Sequence, residues 1–498
     1  MPTVPVHQKN LRCARRADDR ALRIAAAGRP RSTAGVNWTL LQNSLLVSGL
    51  TTLFSVAAGL FAALWLAGSE RASRNKILVL AILALALPPF LVSNCWLHFL
   101  GLAGVWRGWL PLNLYSLGGT VWILTLLLWP ITMLAVLGAW RRVEAAQIES
   151  DSALTGGALI RWVLWPMARA SVGQASVLTF VLALNNFAVP SILQVKVFPA
   201  ELWVKLNTTG DVAGALQSSW PLIVAPLLLL VCLARAELGW VHSDGPVPSR
   251  AIRRQLGAGW FGASGLASAL VLFFAVGLPL GQLASDGRTW TELPNALRAA
   301  AGSVTSSFAL AAVTASFCVA LGVAGRRWPG RWLAWLLFLV PGVLLGIGII
   351  FVFNRPVLDV VYHSFAVVVL AWTMRYLAPA WHSAALAFQA VDRDLSDAAR
   401  LSGASGWSLF WHVHWPQIAP RLGAAWYVTY LLCLWDVETL VLIYPPGGET
   451  LALRIFNLLH YGHNTQVNAL CVLLLALAVA PLAAWHLGRW LRNQMTGS

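Results

Sequence analysis

Residues 395–416 read LSDAARLSGASGWSLFWHVHWP, a polar stretch between two runs that are apolar enough to cross a membrane. Asp397, Ala398 and Ala399 form a small-residue helical turn that begins with an acid, and Gly403 interrupts that helix. Pro416 closes the stretch just before the next apolar run, because proline ends one helix and begins another. The pattern predicts a short helical loop at the membrane surface, available to a soluble partner.

The composition indicates a polytopic membrane protein. Of the 498 residues, 58% are hydrophobic and only 11% are charged, whereas a soluble domain carries about 25% charged residues. The net charge of +16 does not indicate nucleic-acid binding, because Lys and Arg lie in short loops between apolar runs, where they orient a membrane protein. Five of the six cysteines lie in or beside apolar runs, without the spacing of a disulfide framework or a metal site, so we expect them to be packing residues.

Apolar runs long enough to cross about 30 Å of hydrocarbon follow a polar, basic N-terminal tail, residues 1–37. They predict an all-α transmembrane bundle of eleven or twelve spans, with a first half at residues 38–240, a cytoplasmic linker at 241–256 and a second half at 257–498. The tail lacks the apolar core of a secretory signal, so we expect no cleaved leader. The runs lie near residues 39–67, 77–100, 119–140, 171–195, 220–236, 257–283, 303–325, 332–353, 364–387, 422–444 and 467–490.

The first half contains a stretch of the same kind, residues 148–166, which read IESDSALTGGALIRWVLWP. Gly156 and Pro166 match the glycine and the proline of the second stretch, although the first is three residues shorter between them. Its acids, Glu149 and Asp151, flank the position of the second stretch's acid. Because each stretch is followed by two apolar runs, the pattern indicates an internal repeat.

Both stretches resemble the cytoplasmic "EAA" loop of bacterial ABC-importer permeases, whose pattern is Glu-Ala-Ala, three residues, Gly, and a hydrophobic-x-Leu-Pro ending. Asp397 replaces the Glu of that pattern, and Trp415 replaces its Leu. The resemblance, with the repeat, covers nearly all of the chain after the tail. It implies a fused, two-in-one permease with the type I ABC importer fold. It also implies that the loops at residues 144–166 and 392–416 bind two copies of a separate ATPase subunit. The substrate is then expected to come from an extracytoplasmic solute-binding protein. The residues that the resemblance implies for ATPase coupling are Glu149, Asp151, Ala153, Gly156, Gly157, Pro166, Asp397, Ala398, Ala399, Gly403 and Pro416.

The basic residues favour the same orientation. With both loops in the cytoplasm, most Lys and Arg outside the tail fall on the cytoplasmic side, as the positive-inside rule requires, and the resemblance implies a multi-pass protein of the bacterial inner membrane. The basic tail disagrees, because three spans before the first loop place it outside. The family commonly has a further span at this point, so either a first span is missing from this chain or its start lies upstream.

The sequence contains no pattern for catalysis or for binding a nucleotide. None of the four lysines follows a glycine, so there is no phosphate-binding loop, and an H-E-x-x-H zinc pattern is absent. We therefore expect a permease subunit without a cofactor or metal, driven by a partner's ATP. Two alternatives remain open: a gradient-driven secondary transporter, which has no use for two matching polar loops, and a membrane enzyme, which needs convergent His or carboxylate ligands.

Polar residues inside apolar runs are candidates for the translocation pathway, because they are expensive in a membrane. Asp436 and Glu438 follow the second loop by one span, and Asn185 and Asn186 occupy the comparable place after the first loop. The alternative for these residues is an interhelical hydrogen-bond pair. For Arg375, a lone intramembrane cation, we favour a structural pairing with an acid or with helix carbonyls over contact with substrate.

The segments after the loops narrow the substrate class. Residues 185–202, NNFAVPSILQVKVFPAEL, and 436–462, DVETLVLIYPPGGETLALRIFNLLHYG, resemble fused permeases of the iron(III), thiamine and polyamine type, and the second segment is most similar to the ferric-iron members. We therefore favour iron(III) uptake, with thiamine, polyamines or another small solute as alternatives. His460, Tyr461 and His463 could hold a transition metal, but an aromatic span end at the interface is the simpler interpretation, so we expect no metal site.

Overall fold

The computed structural model describes residues 37–141, 143–149, 154–224, 227–228, 247–328, 330–460 and 466–496, and the predicted basic tail therefore lies outside it apart from its last residue. Within these ranges the chain forms helices and no strand, which confirms the all-α prediction. The helices before the predicted linker are α1 (Trp38–Gly68), α2 (Arg71–Ala86), α3 (Pro89–Leu100), α4 (Leu117–Trp140), α5 (Ala145–Glu149), α6 (Gly157–Asn185), α7 (Ala188–Ile192), α8 (Phe198–Thr209) and α9 (Val212–Ser218).

The later part of the chain repeats this order, preceded by one long helix. Its helices are α10 (Ser249–Ser285), α11 (Gly287–Ala324), α12 (Arg331–Leu339), α13 (Gly342–Phe353), α14 (Asp359–Tyr362), α15 (Phe365–Gln389), α16 (Arg393–Leu401), α17 (residues 406–434), α18 (Leu440–Ile443), α19 (Leu451–His460) and α20 (Val467–Thr496).

The predicted number of eleven spans is not confirmed. Among the described residues, six helices are long and apolar enough to cross a membrane, or up to eight if each of two bent pairs counts as one span. The predicted span at 364–387 corresponds to α15, and the one at 422–444 is interrupted at residues 435–439, between α17 and α18. The helices α15 and α17 carry more polar residues and are not among these eight. The predicted span at 220–236 lies largely outside the described residues.

Two predicted spans are broken rather than continuous, and proline explains both breaks. The helix pair α2 and α3 bends by 87° at Pro88, and the pair α12 and α13 bends by 107° at Pro341. The residues before these prolines, Leu87 and Val340, have extended backbones, because a following proline disfavours the helical conformation. Each second segment therefore turns towards the other half: α3 packs against α19 and α20, and α13 packs against α8 and α9.

Proline also explains three π-helical turns. The π turns at Ile160–Leu164, Phe273–Gly277 and Phe410–His414 each end two residues before a proline. Proline has no N–H to donate to the residue four before it, and its ring crowds that carbonyl, so the preceding turn widens to bonds that span five residues. Two of these turns occupy matching positions, at the start of α6 and of α17.

The two halves share a packed scaffold. In the first half α1, α4 and α6 pack against one another, and α11, α15 and α17 do the same in the second. Gly59 of α1 and Gly322 of α11 lie at the matching crossings, where a Cβ would come within 2.7 Å of the Trp129 carbonyl or 2.8 Å of the Trp381 Cα. The remaining long helix, α10, packs against α1 and so attaches the second half's leading helix to the first half.

Candidate coupling loops and translocation pathway

The second predicted loop forms a capped, exposed helix. The Asp392 carboxylate accepts hydrogen bonds from the backbone N–H groups of Asp394 (2.9 Å) and Leu395 (3.3 Å), and so begins α16. Gly403, with φ of +86°, ends the helix in the left-handed conformation that glycine tolerates best. Of the predicted coupling residues here, Asp397 is exposed and lies 3.3 Å from Arg400.

This loop also exposes apolar side chains. Leu401 is 91% exposed and Trp407 is 73% exposed, although both are large hydrophobic residues. Trp407, Phe410 and Trp411 lie against one another with ring centroids 5.6 to 5.9 Å apart. An exposed loop that presents such residues has the composition of a docking surface. The sequence pattern pointed to the small residues of this loop and gave no signal for these larger ones.

The first predicted loop is only partly described: Asp151 and Ala153 lie outside the described residues, whereas Glu149, Gly156, Gly157 and Pro166 lie within them. Glu149 is exposed at the end of α5. The N–H of Gly156 donates to the Gln255 carbonyl (2.8 Å), and the Gln255 amide donates to the Ile148 carbonyl (2.5 Å). This loop is therefore held by α10, a contact for which the sequence carried no signal.

Polar side chains at the far ends of α6 and α17 also match. Asn186 and Asp436 follow their loop prolines by the same number of residues, and each lies shortly before a short helix, α7 or α18. The Asn186 amide oxygen accepts from the Val189 N–H, and the Asp436 carboxylate accepts from the Thr439 N–H, both at 3.0 Å. Asn186 is therefore the structural equivalent of Asp436.

The structure brings Arg375 together with both predicted carboxylates. The buried guanidinium donates to Glu438, lies 3.5 Å from an Asp436 oxygen and donates to the Thr439 hydroxyl at 2.8 Å. The Thr439 hydroxyl in turn donates to Asp436 at 2.6 Å. These four residues, the Arg375 cluster, place one cation and two acids in a buried site, where every charge needs such partners.

The Arg375 cluster is continuous with contacts between the halves. The second oxygen of Glu438 accepts from the Phe187 N–H at 3.0 Å, and the Asn185 amide donates to the Leu339 carbonyl at 2.6 Å, at the bend between α12 and α13. Gly342 begins α13, and a Cβ there would fall 1.6 Å from the Arg375 guanidinium. Sequence reasoning missed Phe187 and Gly342, because their importance depends on contacts between distant segments.

The predicted absence of a metal site concerns residues that are only partly described. Tyr461 and His463 lie outside the described residues, and His460 ends α19. Within the described part of the chain, no three His, Cys, Asp or Glu side chains form a group that could hold a metal ion.

Similarity to known proteins agrees with this architecture. Residues 317–484, from α11 to α20, match the family described as "Binding-protein-dependent transport system inner membrane component". The "Probable molybdenum ABC transporter permease protein" of Haloferax volcanii is 30% identical over 217 residues, which are 42% of this chain and 76% of that protein. A putrescine transport system permease of Escherichia coli is 31% identical over 98 residues, 20% of this chain and 35% of that protein.

A third relative spans both halves. The Fe(3+)-transport system permease protein of Haemophilus influenzae is 20% identical over 445 residues, 84% of this chain and 83% of that protein. An alignment of this length supports a fused chain with two permease halves. The chain therefore belongs to the family of inner-membrane components of binding-protein-dependent transport systems: it is a multi-pass permease subunit of an ABC importer, and not itself an enzyme.

Proposed function

We propose that this permease carries iron(III) across the inner membrane, with both halves, residues 38–240 and 257–498, lining one pathway. The observation that carries the proposal is the Arg375 cluster, in which two carboxylates face one guanidinium at the contact between the halves. Carboxylates line cation pathways, whereas Arg and Lys line anion pathways. Because the cluster has two acids and one base, it favours a cation over an oxyanion such as molybdate.

The long relative supports iron in particular. It is named for Fe(3+) transport and aligns with 84% of this chain, whereas the putrescine permease aligns with 20%. Thiamine, a polyamine or another small solute remain the alternatives, and the first two are cations too. In this class the extracytoplasmic binding protein chiefly selects the substrate.

The coupling part of the proposal places two copies of the ATPase on the loops around Gly156 and Gly403. The loops begin α6 and α17, and four of the candidate pathway residues, Asn185, Asn186, Asp436 and Glu438, lie at or just after the far ends of the same helices. A helix of 29 residues is about 43 Å long, at about 1.5 Å per residue. A loop displaced by nucleotide-driven closure would therefore move Asn185 or Asp436 through one continuous helix.

Reconstituted uptake tests the cargo. The permease, its ATPase and its binding protein are assembled in proteoliposomes, and uptake of iron(III), thiamine and putrescine is measured with and without ATP. We expect ATP-dependent iron(III) uptake. ATP-dependent uptake of thiamine or putrescine alone would reassign the cargo, and uptake that needs no ATPase would contradict the coupling part of the proposal.

A further inference from the structure

Four aromatic side chains meet where the two halves touch beyond the Arg375 cluster. Phe187 and Trp203 come from the first half, and Phe456 and His460 come from the second. The Phe187 ring lies 5.3 Å from Phe456, and the Trp203 ring lies 5.8 Å from His460, so both contacts cross between the halves. The pairs within each half are 5.5 and 5.7 Å apart, and the four rings form a closed circuit.

These four residues, the aromatic circuit, occupy the side of the bundle opposite to the coupling loops. Phe187 follows the end of α6, whose other end carries the first loop, and Phe456 lies on α19, beyond the end of α17. Phe187 and Phe456 are fully buried. With the loops in the cytoplasm, the circuit lies towards the extracytoplasmic side, where its aromatic rings close the contact between the halves.

Glu438 connects the aromatic circuit to the Arg375 cluster. One oxygen of its carboxylate accepts from Arg375 within the second half, and the other accepts from the Phe187 N–H of the first half. The same residue thus bonds the backbone that carries a ring of the circuit. Hydrogen bonds to a charged acceptor are stronger than neutral ones, so this bond favours the closed contact.

Only the second half supplies a carboxylate for such a bond. Ala188 occupies the position that matches Glu438, counted from the two loop prolines, and its methyl group cannot accept a hydrogen bond. When the halves separate, Glu438 loses the Phe187 amide and keeps Arg375 beside it. Opening therefore breaks one charge-assisted hydrogen bond without leaving an unpaired carboxylate in the membrane.

We propose that the aromatic circuit is the extracytoplasmic gate of this permease and that Glu438 is the latch that holds it shut. The inference rests on the proposed transport function. It adds the residues of the gate, and it explains why the second half, which alone supplies the carboxylate, controls them. Alternating access then requires the Phe187–Phe456 and Trp203–His460 contacts to open once in each transport cycle.

Cross-linking the gate tests the first part. Phe187 and Phe456 are both replaced by Cys, and ATP hydrolysis by the assembled importer is measured with its loaded binding protein, before and after oxidation. We expect oxidation to lower the stimulated hydrolysis at least tenfold, and a reductant to restore it. There are two controls, and we expect oxidation to leave the ATP hydrolysis of both unchanged. The first is the intact chain. The second is a pair within the second half, Phe308→Cys with Tyr430→Cys, whose rings lie 6.1 Å apart.

Removing the latch tests the second part. Glu438→Ala deletes the bond across the halves, and we expect hydrolysis in the absence of binding protein to rise about tenfold, the factor that corresponds to about 1.4 kcal/mol. Glu449→Gln is the matched control: Glu449 pairs at 3.8 Å with Arg454 of its own half, and its loss should leave basal hydrolysis unchanged.

Two results would overturn the inference. The first is full hydrolysis by the oxidised Phe187→Cys/Phe456→Cys protein with the cross-link formed. The second is a folded Glu438→Ala variant with unchanged or lower basal hydrolysis, which indicates a purely structural role. If that variant does not fold, the cross-link alone decides. Basal hydrolysis, the readout for Glu438→Ala, requires no solute, so a wrong gate and a wrong cargo are distinguishable.

Discussion

The two halves keep the same scaffold and differ at the two places where function is expected. Ser44 and Ser307 each accept a hydrogen bond from a backbone N–H, that of Phe198 or of Leu451, at 2.8 and 2.7 Å. By contrast, Arg375 is matched by Leu127 in the first half, counted from the serine N-caps of α4 and α15. The two halves therefore share their helix crossings, whereas the buried charge at this position is found in the second half.

The two candidate coupling loops differ in what anchors them. The first loop is tied through Gln255 to α10, the helix that begins in the predicted linker and continues into the second half. The second loop is tied through Gln417 of its own continuation helix, whose side chain accepts from the Asp392 N–H at 2.9 Å. Gly403 has no atom within 4 Å of its would-be Cβ, whereas Gly156 lies against Trp260. The two loops thus match in sequence, but the glycine of the first packs against another helix and the glycine of the second does not.

The largest effect is expected from Gly342→Ala. The added Cβ would displace the Arg375 guanidinium from its two carboxylates, and an uncompensated buried charge costs about 3–5 kcal/mol. Gly348→Ala, on the same helix but with open space around it, should unfold like the unchanged chain. Thermal unfolding in detergent measures both, and equal stabilities of the two variants would mean that the Arg375 cluster contributes nothing to folding.

Gly403→Pro should abolish ATP-driven transport while the chain still inserts. Proline cannot adopt the φ of +86° or supply the N–H that donates to the Arg400 carbonyl. Gly210→Pro is a matched change, because Gly210 also has a positive φ (+64°), open surroundings and a donating N–H, but lies outside the coupling loops. The transport activity of the two variants and the amount of each in the membrane are compared. Full transport by Gly403→Pro would contradict the coupling role.

Gln255→Ala should have a smaller effect, confined to the first loop. It removes a hydrogen bond worth about 1 kcal/mol, so we expect faster hydrogen exchange in residues 145–149 and ATP hydrolysis lowered a fewfold. Gln417→Ala should do the same for residues 393–401 and leave the first loop unchanged. If Gln255→Ala alters exchange in both loops equally, the loops are not separately anchored.

Ser44→Ala and Ser307→Ala should lower the stability of the chain by equal amounts. Each leaves one buried backbone N–H without its acceptor, at a cost of about 1–3 kcal/mol. Denaturant unfolding of the two variants checks this equality. A clear difference would mean that the halves differ in scaffold as well as in charge.

Much of the architecture was predictable because it depends on local patterns. Hydropathy predicted the long apolar helices, although not their number, and the Gly and Pro spacing predicted both polar loops. The breaks at Pro88 and Pro341 were missed, because an apolar run does not reveal how far a helix bends at a proline. Whether the named loop and pathway residues contact an ATPase or a substrate is still a prediction, although the pairing considered for Arg375 matches its geometry.

The sequence by itself determined the membrane class, the helical elements and the repeated polar loops, since each depends on hydrophobicity or on residues within a few positions of one another. The tertiary structure alone decided that Glu438 reaches the Phe187 amide, that Gly342 makes room for Arg375 and that Gln255 holds the first loop. These contacts join residues far apart in the chain, so they depend on how the broken helices cross between the halves, which no local pattern encodes.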